Sequence, residues 1–354
     1  MRGTNWVGDA VMTIPALREL RKLFPDAHIT LATRPWAQEL FAEVDFLDEV
    51  LAYDRRGLGS VFGQVREWRA RNYDLAVLFQ NAFEAALIPA LARVPYRIGY
   101  TTESRSFLLT HPLPLPEWRS SKHEVFYYLN IVAALERIVS GKERRVEDYQ
   151  PDIGMQLSNQ RRSAGADLLA SSGVNSDRPV VALCPGSINS RAKRWPVERF
   201  ATLADLLIEA GTQVVLIGST GELEVSNQVV EHMRHHPIVL TGSTTLSEAI
   251  EILAKTDLLI TNDTGPAHIA AALGRPTLVI FGPTNPVTTQ PFSSNAEVVR
   301  HPPECAPCML RDCPIDHRCM TAITPEELFS RAQAILSGRP NMLNPRPHPT
   351  GAVA

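Results

Sequence analysis

Polar residues that could handle a sugar diphosphate stand at several points of the chain, each just after an apolar run. The run Asn262-Asp263-Thr264-Gly265-Pro266, followed by His268, separates the strand-like Leu258 to Thr261 from a helix-favouring stretch that Gly274 closes. A helix starting there offers free backbone N–H groups and a partial positive charge, which suit a phosphate. Asp263 is a carboxylate in that position and suits sugar hydroxyls better, as their acceptor. The alternative is that Asp263 or Thr264 only caps the helix. Upstream, Ser187 and Lys193 follow the apolar run Pro179 to Leu183, and Glu222 follows Gln213 to Ile217. Lys193 can neutralise a diphosphate and Ser187 can hydrogen-bond it. Glu222 can accept from both hydroxyls of a ribose, and His268 can add a donor. Together they describe a nucleotide-sugar diphosphate site built without a metal. Taken singly, Lys193 can be a solvated charge, Glu222 a helix-start residue and His268 a core histidine.

The N-terminal loop Gly3-Thr4-Asn5-Trp6-Val7-Gly8-Asp9 adds another carboxylate. Its glycines match a P-loop in part, but Asp9-Ala10 stands where Lys-Ser/Thr would hold phosphate and magnesium. Asp9 is either a helix cap or a base facing a cleft. Such loops normally follow a strand, and none is legible before this one. Either the start is late or the sheet lacks an edge or centre strand.

The elements that must position these residues alternate between strand and helix through both halves of the chain, which predicts two doubly wound parallel sheets. One helix is expected from Val11 to Phe24, with Pro15 in its first turns. Leu75 to Phe79 reads as a buried strand ending at Gln80-Asn81, and Pro112 to Pro116 as an extended connector. Glu124 opens a long helix, and the linker falls near 140–152. The predicted domains are 1–155 and 156–323, with a helix at 324–337 and a disordered tail at 338–354.

With 354 residues, the chain has room for two domains, and 44% hydrophobic with 21% charged residues is ordinary for a globular protein. A formal net charge of -3 argues against general nucleic-acid binding. No apolar run is long enough to span a bilayer and no secretory signal is visible, so the expected location is the cytoplasm.

The runs GTNWVGDAVMTIPALRELR, CPGSINSRAKRWPVERFATLADLL and TNDTGPAHIAAALGRPTLVIFGPTNP resemble the ADP-heptose:lipopolysaccharide heptosyltransferases, closest to the heptosyltransferase II type. The resemblance covers nearly the whole chain. It implies the α/β GT-B architecture, two Rossmann-like domains facing across a cleft. It also implies transfer of L-glycero-D-manno-heptose from ADP-heptose to the inner core of lipopolysaccharide, with inversion and without cofactor or required metal. By the same resemblance Asp9 is the base, Lys193 and Ser187 meet donor phosphate, and Glu222 meets ribose. Asp263 meets heptose hydroxyls, Thr264 and Gly265 meet phosphate through backbone, and His268 lies nearby. Against that family the first strand is missing, and a late start is the expected reason.

The implied acceptor is a lipid A-linked, anionic saccharide reached by peripheral contact with the inner membrane. Asn81, Arg34, Arg97, Arg105, Lys122 and His123 are the candidates to meet it, with scattered surface charge as the alternative for each. Cys305, Cys308, Cys313 and Cys319 sit near His301 and His317; a structural loop is expected, with zinc as the minority alternative. Rival functions are another ADP-heptose transferase, a sugar-nucleotide epimerase and a non-catalytic binder.

Overall fold

The computed structural model describes residues 1–54 and 57–338, so the expected disordered tail lies outside the described residues from 339 onward. The chain divides into two compact units, Met1–Ile153 and Gly154–Ala354.

In the second unit six strands form one parallel sheet: β6 (Val180–Cys184), β7 (Gln213–Leu216), β8 (Ile238–Val239), β9 (Leu258–Asn262), β10 (Thr277–Ile280) and β11 (Ala296–Val299), once the first unit's β1 (Thr30–Thr33), β2 (Glu49–Ala52), β3 (Leu75–Leu78), β4 (Tyr96–Tyr100) and β5 (His111–Leu113) are counted. Their spatial order is β8-β7-β6-β9-β10-β11. In order of occurrence that is 3-2-1-4-5-6, the dinucleotide-fold arrangement, and its switch point lies between β6 and β9. The central strands β6, β9 and β10 are buried on both faces, as a parallel sheet covered by helices must be. Val181, Leu183, Leu258, Ile260, Leu278 and Ile280 pack with Phe200 and Leu203 of the helix Val197–Glu209 and Leu328 of Pro325–Leu336. Each such side chain contributes about 1.5–3 kcal/mol on burial.

The first unit repeats the plan with one surprise. No regular strand precedes the loop at 3–9, yet Arg2 bridges β1 on one side and β3 on the other, in parallel with both. Its N–H donates to the Val77 carbonyl at 2.9 Å and its carbonyl accepts from Phe79 at 3.1 Å, while Gly3 donates to Ala32 at 2.9 Å. The order is therefore β2-β1-Arg2-β3-β4-β5, again with the first segment at the centre. The centre position that seemed missing is filled by so few residues that no period can be read in them. Gly3 is required here: a Cβ would lie 2.9 Å from that of Thr33.

Three other expectations change. The single helix from Val11 to Phe24 is two, Val7–Met12 and Ile14–Leu23, because Pro15 has no N–H to continue the ladder and Thr13 turns its hydroxyl onto the Ala10 carbonyl at 2.6 Å. The proline connector begins as β5, an edge strand paired with β4, where Pro112 is tolerated. A helix at Asn159–Ser171, capped by Ser158, was not legible. It approaches Leu246–Leu253 through Gly165, where a Cβ would sit 2.2 Å from the Glu251 carbonyl oxygen, so a small residue replaces the usual apolar stripe. Among the described residues no helix is long and apolar enough to cross a membrane.

Candidate active site

Three loops of the second unit leave the carboxyl ends of β6, β7 and β9, where ligands bind in open α/β sheets. Side chains tie them together. The Lys193 ammonium donates to Asp263 Oδ2 at 2.8 Å and to the Asp263 carbonyl at 3.3 Å, joining the β6 and β9 loops. Thr284, in the loop after β10, donates to the same Oδ2 at 2.7 Å. Asp263 is buried while the Lys193 side chain keeps 26% of its exposure, so the cation is the more accessible partner.

Glu222 joins the β7 loop to the β6 loop. Its Oε2 accepts from the Ser219 N–H at 2.9 Å and the Ser219 hydroxyl at 2.8 Å, a capping box of the short turn Thr220–Glu222. Its Oε1 lies over Gly186, where a Cβ would be only 2.2 Å away. Ser187 is buried, and its carbonyl accepts from Arg194 Nε and Nη2 at 3.1 and 2.9 Å. The helix Gly265–Ala272 begins beside Asp263 with no side chain capping it at Thr264. His268, in its first turn, is buried, and that burial holds its imidazole at about 4, so it is neutral at neutral pH. The sequence-predicted donor residues are thus brought together at one sheet edge.

In the first unit a cavity of about 220 Å³ is lined by Asp9, Gln80, Asn81, Arg119, Glu124 and Tyr127, among others. It opens where the loops after Arg2 and β3 diverge, the switch point of that sheet. Asp9 is half-buried in the first turn of Val7–Met12; the residue in the capping position is Trp6. Arg119 binds Glu124 at 2.5 Å and stacks 4.0 Å from the Tyr127 ring. Asn81 donates to the Tyr127 hydroxyl at 3.0 Å. Burial raises the Glu124 carboxyl above its ordinary range, against the pull of Arg119.

Of the predicted acceptor residues, Asn81 lines this cavity and the others do not. Arg105 is fully buried and donates to the Tyr100, Gln80 and Ala82 carbonyls at 2.9, 2.5 and 3.1 Å. Burial lowers its guanidinium to about 10. Arg97 donates to the Leu108 carbonyl at 2.7 Å and to that of Val94. Both arginines brace neighbouring backbone carbonyls, and neither lines the cavity. Lys122 pairs with Glu147, His123 caps the helix Glu124–Ser140 by accepting from Val125, and Arg34 lies 5.9 Å from the Tyr53 ring. Replacing Arg105 with methionine leaves three carbonyls, that of Tyr100 buried, without their donor. Chemical denaturation should show a loss of about 2–4 kcal/mol. A rise in acceptor KM at unchanged stability would contradict the structural assignment.

Arg119, Glu124, Tyr127 and Thr284 went unread in the sequence as site residues. Arg119 sits in a short 3-10 helix, Glu117–Ser120, with no motif around it. Glu124 reads as an ordinary helix-start acid.

Among the described residues no three His, Cys, Asp or Glu side chains are arranged to hold a metal ion. Cys305 is exposed and Cys319 buried, His301 bonds Glu327 at 2.8 Å, and the His317 ring bonds the Ala192 carbonyl at 2.6 Å. The loop instead clasps the Lys193 turn: Ala192 donates to the Arg311 carbonyl at 2.9 Å, and Arg191 pairs with Asp312 at 2.6 Å.

Residues 62–318 match the family model described as glycosyltransferase family 9 (heptosyltransferase). The lipopolysaccharide heptosyltransferase 2 of Salmonella typhimurium is 32% identical over 314 residues, covering 84% of this chain and 86% of the relative. The lipooligosaccharide heptosyltransferase 2 of Haemophilus influenzae is 29% identical over 308 residues, covering 84% and 87%. The solved structure of the E. coli ADP-heptose LPS heptosyltransferase II superposes with a TM-score of 0.81 at 28% identity, over 95% of this chain and 98% of that one.

Proposed function

The chain belongs to glycosyltransferase family 9 (heptosyltransferase), with the GT-B fold, and we propose that it moves L-glycero-D-manno-heptose from ADP-heptose to the heptose/Kdo inner core of lipopolysaccharide, with inversion. The observation that carries the reading is the Lys193–Asp263 contact at 2.8 Å, flanked by Glu222, Ser187 and an uncapped helix start at the sheet's switch point. That set has a cation for a diphosphate, carboxylates for ribose and heptose hydroxyls, and N–H groups for phosphate oxygens. Glu222 takes the ribose, Asp263 the heptose, and Lys193, Ser187, Thr264 and Gly265 the diphosphate. His268, neutral, donates or accepts a hydrogen bond but brings no charge.

In the first unit Asp9 is the base that takes the acceptor hydroxyl's proton as the glycosidic bond forms. Inverting transfer has no covalent intermediate, so one carboxylate suffices. Asn81 and Arg119 face the acceptor in the same cavity. The acceptor is anchored in lipid, so the enzyme works by peripheral contact with the cytoplasmic face of the inner membrane.

The deciding assay incubates the protein with ADP-heptose and defined truncated cores. A core that gains one heptose, with ADP released only when core is present, supports the reading. Conversion of the donor alone points to an epimerase. A gain by a different core or by a protein moves the acceptor but keeps the donor.

Arg119 gives a second check. Its guanidinium is held by Glu124 and Tyr127 and lines the cavity, where it can act as an anion receptor. Arg119→Ala should raise the acceptor KM about 10–100-fold, the worth of a charge-assisted hydrogen bond, and leave the donor KM alone. Arg119→Lys should recover only part. An unchanged acceptor KM would remove Arg119 from the acceptor site.

A further inference from the structure

We propose that Asn262 is the positioning residue of the donor site: it fixes both ends of the loop that carries Ser187 and Lys193, acting through backbone alone. The inference rests on the donor reading above and deepens it. Asn262 ends β9 and is fully buried. Its Nδ2 donates to the Pro185 carbonyl at 2.8 Å and the Gly186 carbonyl at 3.2 Å. Its Oδ1 accepts from the Trp195 N–H at 3.0 Å. The three partners stand at the two ends of the loop 185–195.

The need for this side chain follows from where the sheet stops. The β6–β9 ladder ends at the pair Cys184 and Thr261. Pro185 has no N–H to continue it, and two successive carbonyls turn out of the sheet into a buried space. One carboxamide satisfies both and accepts the N–H that returns at Trp195. Two donors and an acceptor on so short a stem are available from asparagine and from no other side chain of that length. Aspartate in its place would aim a third acceptor at two carbonyls. Leucine would leave all three groups unpaired. The next residue, Asp263, takes the Lys193 ammonium, so adjacent positions hold the loop by its backbone and by its cation. The Trp195 indole, bonded to the Ile323 carbonyl at 3.1 Å, anchors the far end in the core.

The test measures ADP binding by calorimetry and steady-state kinetics with both substrates, below the unfolding midpoint of each variant. Asn262→Asp should weaken ADP binding and raise the donor KM about 10–100-fold, with acceptor KM unchanged. Asn262→Ser, which keeps one hydroxyl donor, should fall between, and it carries the same test if the aspartate variant does not fold. In a cycle with Lys193→Ala, the second substitution should cost less than the first, because both act on one loop. A folded variant that binds ADP within about twofold of wild type, or a cycle that is additive, overturns the inference. Equal rises in donor and acceptor KM would also overturn it, since they mark general loosening. Wild-type protein that does not bind ADP would overturn the donor reading itself, whatever the variants do.

Discussion

Replacing Asp9 with asparagine should lower the rate of heptose transfer about 10²–10⁴-fold and leave ADP-heptose binding unchanged. The acceptor hydroxyl is a poor nucleophile, and a carboxylate within hydrogen-bond reach lowers the barrier by removing its proton as the bond forms. Asparagine keeps the shape and removes the base. The residues proposed to bind the donor all belong to the unit Gly154–Ala354, while Asp9 belongs to Met1–Ile153, which is why the two effects should separate. The cavity holds one other carboxylate, Glu124, but it is engaged by Arg119 at 2.5 Å. Burial, and after it the Asp9 charge, keeps the Tyr128 hydroxyl firmly protonated, so that group is no rival base. Single-turnover rates with saturating donor and acceptor are the measurement. If Glu124→Gln abolishes transfer and Asp9→Asn spares it, the roles are reversed and the assignment of Asp9 is wrong.

What could be read in the sequence, and what could not, divides by how local the signal is. Strands β6, β7, β9 and β10 announce themselves as apolar runs because both faces of a parallel sheet are covered, whereas the edge strand β11 carries Glu297 and was not read; the residues that follow each run are by necessity at the ligand edge. Ser187, Lys193, Glu222 and Asp263 were therefore legible from order alone. The surroundings of Arg105 could not be read because a charged residue on a loop looks solvated in sequence; only the three-dimensional path shows it surrounded by carbonyls of residues 5 to 25 positions away. Arg119 and Thr284 carry no pattern of their own and gain meaning from Glu124, Tyr127 and Asp263, which distant segments supply. The helix Asn159–Ser171 was hidden by the same logic in reverse, since its contact is made by Gly165 and the Arg161–Glu251 pair at 2.8 Å instead of an apolar face. The central Arg2 segment could not be seen at all, because a bridge of one residue has no period.

Replacing Lys193 with alanine should lower kcat/KM for ADP-heptose about 10²–10³-fold, the size found when one preorganised charge-stabilising donor is removed. As the anomeric bond breaks, negative charge grows on the departing diphosphate, and a fixed cation beside it stabilises the transition state more than the ground state. Lys193 suits that task. Its turn is clasped by the loop at 309–317, and its ammonium is held in place by Asp263 while the side chain stays partly exposed. Its neighbours cannot substitute. His268 is uncharged at assay pH because burial holds it at about 4, and Arg194 is bound to the Ser187 carbonyl through two of its nitrogens. The alanine variant also leaves the buried Asp263 without its cation and facing the diphosphate, so ADP affinity should fall together with kcat. Lys193→Arg separates the two contributions. It keeps the charge but presents a planar fork where a compact ammonium sat, so binding should recover more than turnover. Asp263→Asn is the companion measurement: it removes the repulsion and, combined with Lys193→Ala, should restore part of the lost ADP binding without restoring the rate. If Lys193→Ala reduces ADP affinity alone and kcat holds, the lysine serves uniform binding and the leaving group must draw its stabilisation from the helix start at Gly265.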